Sequence, residues 1–309
     1  MKILVTGGAG FIVSNLLDRL INEGHETLIL DDFSTGNKKF VNPKSQVVRA
    51  DIRDAMAVHK AFEDFKPEAL LHLAAHIHLR KSIENPEMDY EINVIGSKNI
   101  LESCIKHGVK RFTFSSSAAV YGDNQNLPIK ESEPIAAQTQ YGKSKAEIEV
   151  ELKEKVQKNG IKAVVLRYAN VYGPRQGTVG EGGVIAVFCQ RLNSGEPLKI
   201  NGNGEQTRDF VFVDDIVDAN LKVLSSKKDF AVYNVSTSKE TTINDIAEKL
   251  LSISKKGVKV EHSDAIKSEV IRNSLDNTLI KQEMGWEDKV SLEEGLERTW
   301  KFFNCHCEE

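Results

Sequence analysis

The sequence predicts an α/β fold: a Rossmann-type, doubly wound parallel sheet with a smaller α/β lobe toward the C-terminus. Three observations carry that expectation. Short apolar runs alternate with segments of helical period through the first half of the chain. A glycine-rich turn joins the first apolar run to the first helix, and an acidic residue closes the second run. The alternation stops after Tyr168. Short, wholly apolar strands separated by helices imply a parallel sheet covered on both faces.

The elements follow in order. Ile3-Leu4-Val5 is the first strand and stops at Gly7-Gly8-Ala9-Gly10. Phe11, Ile12, Leu16, Leu17, Leu20 and Ile21 recur at helical spacing, and Gly24 closes that helix. Residues 27–30 form the next strand, ending at Asp31-Asp32. Runs at 47–48, 69–73, 112–114 and 164–166 continue the series and end near Asp51, Ala74-Ala75, Ser115 to Ser117 and Arg167-Tyr168. Helices are expected between them, among others over 91–107 and 141–158. After Tyr168 come a glycine-rich loop over 170–183, the turn Asn201-Gly202-Asn203-Gly204, a strand over 210–213, a helix from Asp214, and helices over 243–253 and 291–303. This divides the chain into a dinucleotide-binding domain over 1–169, joined by part of 208–236, and a mainly substrate-binding lobe over 170–309.

Composition supports one globular, two-lobed unit. The chain has 309 residues, 40% hydrophobic and 28% charged, too apolar for disorder. Its net charge of -4 argues against a nucleic-acid backbone as partner. There is no apolar run long enough to span a membrane, no secretory signal at Met1-Lys2-Ile3, and four Cys make no disulfide framework. A soluble, cytoplasmic protein is expected.

Gly7, Gly8 and Gly10 sit between a strand and a helix, where the backbone can approach a pyrophosphate resting on the helix N-terminus. Asp31, at the end of the second strand, can accept hydrogen bonds from adenosine ribose hydroxyls. A 2′-phosphate there would place like charges about 4 Å apart, costing about 4 kcal/mol per pair at an effective dielectric near 20. That is roughly three decades of affinity. No Arg lies between Asp31 and Lys38 to offset it. NAD, rather than NADP, is the expected cofactor. Val13 stands where the motif has its third glycine, and is expected to crowd the helix against the sheet or loosen cofactor binding.

Tyr141 and Lys145 stand at i and i+4 on one helix face, which continues through Ile148, Leu152 and Val156. A Lys on a buried stripe needs a reason. A tyrosine acting as base must lose its proton about three pH units below its usual value, a matter of about 4 kcal/mol. One cation at about 4 Å supplies that much. Lys145 is one such cation and a nicotinamide ring would be a second. Ser117, at a strand end, can hold the substrate hydroxyl.

Together these residues resemble the extended short-chain dehydrogenase/reductase family, and within it the NAD-dependent nucleotide-sugar epimerases. The resemblance runs through Thr6 to Ile12, Leu30 to Asn37, Asp51-Ile52-Arg53-Asp54, His72 to Ala75, Asn93-Val94, Ser115 to Gly122, Tyr141 to Lys145, Arg167 to Arg175 and Arg208 to Val211. It implies an NAD site lined by Gly7, Gly10, Phe11, Ile12, Asp31, Asp32, Ser34, Asn37, Asp51, Ile52, Leu73, Ala74, Ala75, Asn93, Ser115, Tyr141, Lys145 and Tyr168. It implies a UDP-sugar held by Ser117, Asn170, Val184, Arg191, Arg208 and Arg272, the arginines suiting a diphosphate. Ser117, Tyr141 and Lys145 would be catalytic. Sister dehydratases and decarboxylases carry an acid within the two positions after the Ser/Thr, whereas here those are Ala118 and Ala119. The resemblance therefore implies epimerisation at sugar carbon 4 of a UDP-glucose/UDP-galactose type substrate through a 4-keto intermediate. UDP-N-acetylglucosamine or UDP-glucuronate as substrate, a net dehydrogenase or reductase, and a non-catalytic NAD sensor remain alternatives.

No metal is expected. His72, His76 and His78 lack a carboxylate or Cys to complete a shell, and Cys305-His306-Cys307 is incomplete as a zinc site. A homodimer is expected from helices 91–107 and 141–158. Ile95 and Ile100 in the first, and Ala146 and Val150 in the second, are expected to lie off the inward stripe.

Overall fold

Thirteen strands, β1 to β13 in chain order, and the helices between them are seen in a computed structural model that describes residues 1–77, 82, 84–178, 183–265 and 270–305. Seven strands make the main sheet: β1 (Lys2–Thr6), β2 (Glu26–Asp31), β3 (Gln46–Arg49), β4 (Ala69–His72), β5 (Arg111–Ser117), β6 (Lys162–Tyr168) and β11 (Phe230–Val235). All run parallel, in the order β3-β2-β1-β4-β5-β6-β11. The chain winds outward from β1 in both directions. The crevice where the winding reverses opens at the carboxyl ends of β1 and β4, which is where doubly wound sheets bind ligands.

The period of two along β1 shows why both faces are covered. Leu4 packs on one side with Leu28, Phe62, Leu70, Phe112 and Leu152, under helices Ala55–Phe65, Ser97–Lys106 and Gln140–Asn159. Ile3 and Val5 pack on the other with Leu16, Leu17, Ile29 and Val217, under helices Phe11–Asn22 and Val213–Val223. Each such side chain stabilises the fold by about 1.5–3 kcal/mol. Val13 belongs to this second cluster and is buried. Its side chain fills a place in the core between helix and sheet.

Beyond β6 the architecture changes. β7 (Asn170–Tyr172) pairs in parallel with β10 (Phe210–Phe212), β8 (Leu198–Asn201) with β13 (Val260–Ser263), and β9 (Thr207–Arg208) antiparallel with β12 (Thr241–Thr242). These short pairs and helices Val184–Ser194, Ile243–Ser254 and Leu292–Cys305 enclose their own core, including Phe188, Leu192, Leu198, Ile246, Leu250 and Leu296. Among the described residues no helix is long and apolar enough to cross a membrane.

Two sequence expectations shift. The helix expected over 91–107 opens with a π turn, Glu91–Gly96, before the regular helix Ser97–Lys106. Gly96 passes so near Ile52 that a Cβ there would come within 2.5 Å of its side chain. Ile100 is also buried, in the same cluster as Val94 and Leu101. The inward stripe is wide because this helix is wedged between the sheet and helices on either side. Ile95 is left exposed, as is Val150 on the neighbouring helix.

Candidate active site

Four carboxyl-end loops converge on the crevice. In the first, Gly7 has φ +80°, and a Cβ there would lie 3.0 Å from the Ala74 backbone. A Cβ on Gly8 would come within 2.5 Å of Ile29. Only glycine lets this turn sit so low on the sheet. Gly10 caps helix Phe11–Asn22 with no side-chain hydrogen bond, and the first turn holds no acid. The helix therefore presents its positive end and free N–H groups to the crevice.

Asp31 closes β2. Its Oδ2 accepts from Ala9 N (2.9 Å) and its Oδ1 from Phe33 N (2.7 Å). Burial raises its pKa, and these two bonds work against that rise. The carboxylate thus fastens the glycine turn to the next loop, and each oxygen keeps a lone pair for a further donor. Asn37 N reaches Ala9 O (3.0 Å), so the segment from Asp32 to Asn37 folds over the same turn. Within it Asp32 is taken up by Ser34, and the Asn37 side chain accepts from Lys39 N. Asp51 is gripped by the Arg53 guanidinium (2.7 Å), which holds its carboxyl below the usual range. Ile52 is buried beside Gly96.

His72 organises the third loop from beneath. Thr6 Oγ1 accepts from Leu73 N (3.1 Å) and Ala74 N (3.0 Å), so its proton goes to His72 Nδ1 (2.7 Å). His72 Nε2–H then donates to Ser97 Oγ (2.8 Å), which donates to Asn93 O (2.6 Å). This chain requires a neutral imidazole, and burial, followed by the Lys145 charge, pushes its pKa down to about 3. The Asn93 side chain pins the loop by both accepting from His76 N and donating to His76 O. Leu73, Ala74 and Ala75 are thereby held against the glycine turn. His78, His306 and Cys307 lie outside the described residues. Among those described, no group of three His, Cys, Asp or Glu is placed to hold a metal ion.

The fourth loop brings Ser117, Tyr141 and Lys145 together. Ser117 ends β5 and accepts from Ala119 N (3.2 Å), which starts the 3-10 turn Ala118–Tyr121. Thr139 caps helix Gln140–Asn159 through Gly142 N. Gly142 lies against that turn, since a Cβ would come within 2.5 Å of Ala119 O. This contact sets the distance between the Tyr141 helix and the Ser117 turn. Lys145 is buried, and its Nζ donates to Ser115 O (2.7 Å) and lies 4.8 Å from the Phe114 ring centroid and 5.6 Å from that of Tyr141. Burial pulls its pKa down to about 8, against the opposing pull of Asp89 and Glu149. Glu149, one turn on, is locked to Arg167 (2.5 Å) and Ser116 (2.5 Å). Tyr168 is buried beside them, its hydroxyl bonded to Asn220.

The second lobe supplies a cleft of about 230 Å³ whose walls include Asn170, Val184, Lys199, Gln206, Arg208 and Phe210. Arg191 and Arg272 are not among its lining residues. Arg191 turns to Pro197 O and Glu196, and Arg272 is held by Glu240 in a two-pronged pair (2.6 and 2.9 Å). Sequence reasoning passed over Lys199, Gln206, Asn220 and Asp89. None belongs to a local motif, and each matters only through neighbours distant in the chain.

A glycine turn no side chain could enter, an uncapped helix end and an acid at the next strand end fit a dinucleotide. A buried lysine under a tyrosine, beside a strand-end serine, fits proton transfer to and from an alcohol. Fold and site thus define an enzyme of the short-chain dehydrogenase/reductase type. The sequence profile of the NAD-dependent epimerase/dehydratase family matches residues 3–236, and the chain belongs to that family. It is similar to a UDP-glucose 4-epimerase of Mycolicibacterium smegmatis, 36% identical over 98% of both chains. It superposes on the crystal structure of Thermotoga maritima UDP-glucose 4-epimerase with UDP-glucose at TM-score 0.96, with 40% identity over 99% of both chains. The Thermus thermophilus UDP-glucose 4-epimerase complex with NAD gives 0.94, with 34% identity over 99% of this chain and 100% of that one. The chain is an NAD-dependent nucleotide-sugar 4-epimerase of the UDP-glucose 4-epimerase-like group, and NAD is its cofactor.

Proposed function

We propose that the protein interconverts UDP-glucose and UDP-galactose, or a close UDP-sugar pair, through a transient 4-keto sugar. The carrying observation is Lys145 buried beneath Tyr141 on a helix seated against the Ser117 turn, with alanines at 118 and 119. Ser117 keeps its own proton and a lone pair to orient the sugar 4-hydroxyl. Tyr141 takes that hydroxyl's proton and later returns it, and the Lys145 charge favours the phenolate. Bound NAD would supply the hydride chemistry at carbon 4, and a keto sugar free to turn would present its opposite face for the hydride's return. Ala118 and Ala119 have no ionisable side chain, so elimination or decarboxylation has no acid from those positions.

The same proposal assigns the residues lining the crevice, from Gly7 to Tyr168, to NAD, and Asn170, Val184 and Arg208 to the nucleotide diphosphate. Arg191 and Arg272 would join by leaving Glu196 and Glu240. It treats 1–169 with part of 208–236 as the cofactor domain and the rest of 170–309 as the substrate lobe, supported by β11 lying in the main sheet. Two chains would pair through exposed Tyr90, Ile95 and Val150. A cytoplasmic setting is supported by the free thiols of Cys104 and Cys189. Incubation with UDP-glucose, UDP-N-acetylglucosamine and UDP-glucuronate, with products separated by chromatography, tests the substrate. UDP-galactose from UDP-glucose is expected. Turnover of another sugar alone would reassign the substrate, and accumulation of NADH with a dehydrated or decarboxylated product would overturn the mechanism.

A further inference from the structure

Asp89 is a fully buried carboxylate outside the Ser117–Tyr141–Lys145 set. It sits in the short helix Pro86–Tyr90, just before the π turn that carries Asn93. Oδ1 accepts from Ser144 Oγ (2.7 Å) and Oδ2 from Ser82 Oγ (2.7 Å). Ser144 is the residue before Lys145 and three after Tyr141. Two hydroxyls are thin compensation for a carboxylate removed from water, which ordinarily requires a cation nearby.

Among the described residues, few charges surround Lys145. On its own helix are Tyr141 and Glu149, and the Glu149 charge is already matched by Arg167 at 2.5 Å. β4 contributes neutral His72, β5 only the Ser115 carbonyl and the Phe114 ring, and β6 the Tyr168 hydroxyl. Helix Pro86–Tyr90 contributes Asp89. His76 Nδ1 lies 3.8 Å from Asp89 Oδ2 and carries a charge only when protonated.

We propose that Asp89 is a positioning residue for the reaction: held by Ser82 and Ser144, it is the buried counter-charge that keeps Lys145 cationic under Tyr141 and ties the cofactor-side loop to the catalytic helix. Its pull on Lys145, opposing burial, agrees with this. The inference rests on Lys145 acting through Tyr141, as proposed above. It also explains why the helix carrying Asp89 is anchored to position 144 by a side chain rather than by apolar packing alone.

The test is the pH profile of kcat/KM for UDP-galactose with the NAD-loaded enzyme, for wild type and Asp89→Asn, an isosteric change whose amide can still bond both serines. Without the buried charge, Lys145 gives up its proton at lower pH. The falling alkaline limb should move down by about one pH unit, so the activity lost grows with pH and reaches about tenfold on that limb. If Asp89→Asn does not fold, Ser82→Ala/Ser144→Ala carries the test. Without both donors Asp89 loses the hold that fixes its charge beside Lys145, and the same downward shift is expected. An equal loss at every pH, or no loss, in the folded variant overturns the proposal. Tyr141→Phe, run alongside, separates the two readings: full activity there would fault the catalytic assignment itself, whatever Asp89→Asn does.

Discussion

Lys145 is a cation in surroundings that penalise cations, and Tyr141 lies over it. Burial brings the lysine to about 8, so at neutral pH about ten are charged for each that is neutral. That charge is useful only if a phenol uses it. Tyr141→Phe removes the group while keeping the ring, and turnover should fall by roughly 10²–10⁴ with the melting temperature preserved. Near-normal turnover in a folded variant would contradict the role. His72 makes the opposite bargain, staying neutral at the bottom of the crevice. Free histidine binds a proton near 6.5, whereas the buried one does so only near about 3. Its share of stability is therefore whole above 6.5 and is lost as the pH falls toward 3. Asp209 and Asp215 act against it: burial raises each from 3.8 to about 6, so their share is full below 3.8 and is lost as pH rises through about 6. Denaturant titrations of wild type and His72→Gln at about pH 7 and about pH 4.5 separate these effects. The variant should lose less stability on acidification than wild type does, and an equal loss would contradict the neutral-histidine assignment.

Gly142 shows how an element can matter through a missing atom. A Cβ there would meet Ala119 O at 2.5 Å, and the carbonyl is backbone, with little room to give. Gly142→Ala should push the Tyr141 helix away from the Ser117 turn. A misplacement of about 1 Å costs on the order of 10²-fold in rate, so kcat of the folded variant should fall that far. Unchanged kcat would mean that the seating does not set the geometry. The sequence made the main elements legible, because a strand–turn–helix rhythm and the Tyr141–Lys145 stripe are local patterns. It did not reveal β7, β8, β9, β12 and β13. These strands are two to four residues long, and each forms only because a distant partner is brought beside it. Ile100 was misplaced because a helix flanked on both sides buries a wider stripe than spacing alone suggests. The crevice residues were readable from motif and strand end. Asp89 was not, since its meaning comes from Ser82 and Ser144 across space.

At the scale of the molecule, helix Pro86–Tyr90, the π turn after it and helix Gln140–Asn159 leave Tyr90, Ile95 and Val150 exposed. Apolar side chains grouped on neighbouring helices suit a self-complementary interface. Light scattering at micromolar concentration should give a mass of two chains, and Val150→Glu should shift it toward one. A monomeric wild type would contradict the pairing. The proposed reaction belongs to the whole site: one carbon is oxidised and then reduced, with the same hydride leaving and returning. UDP-galactose carrying deuterium at carbon 4 of the sugar tests this most directly. UDP-glucose that keeps the label at carbon 4, with no build-up of NADH, is expected. Loss of the deuterium to water, or NADH formed in step with product, would contradict it.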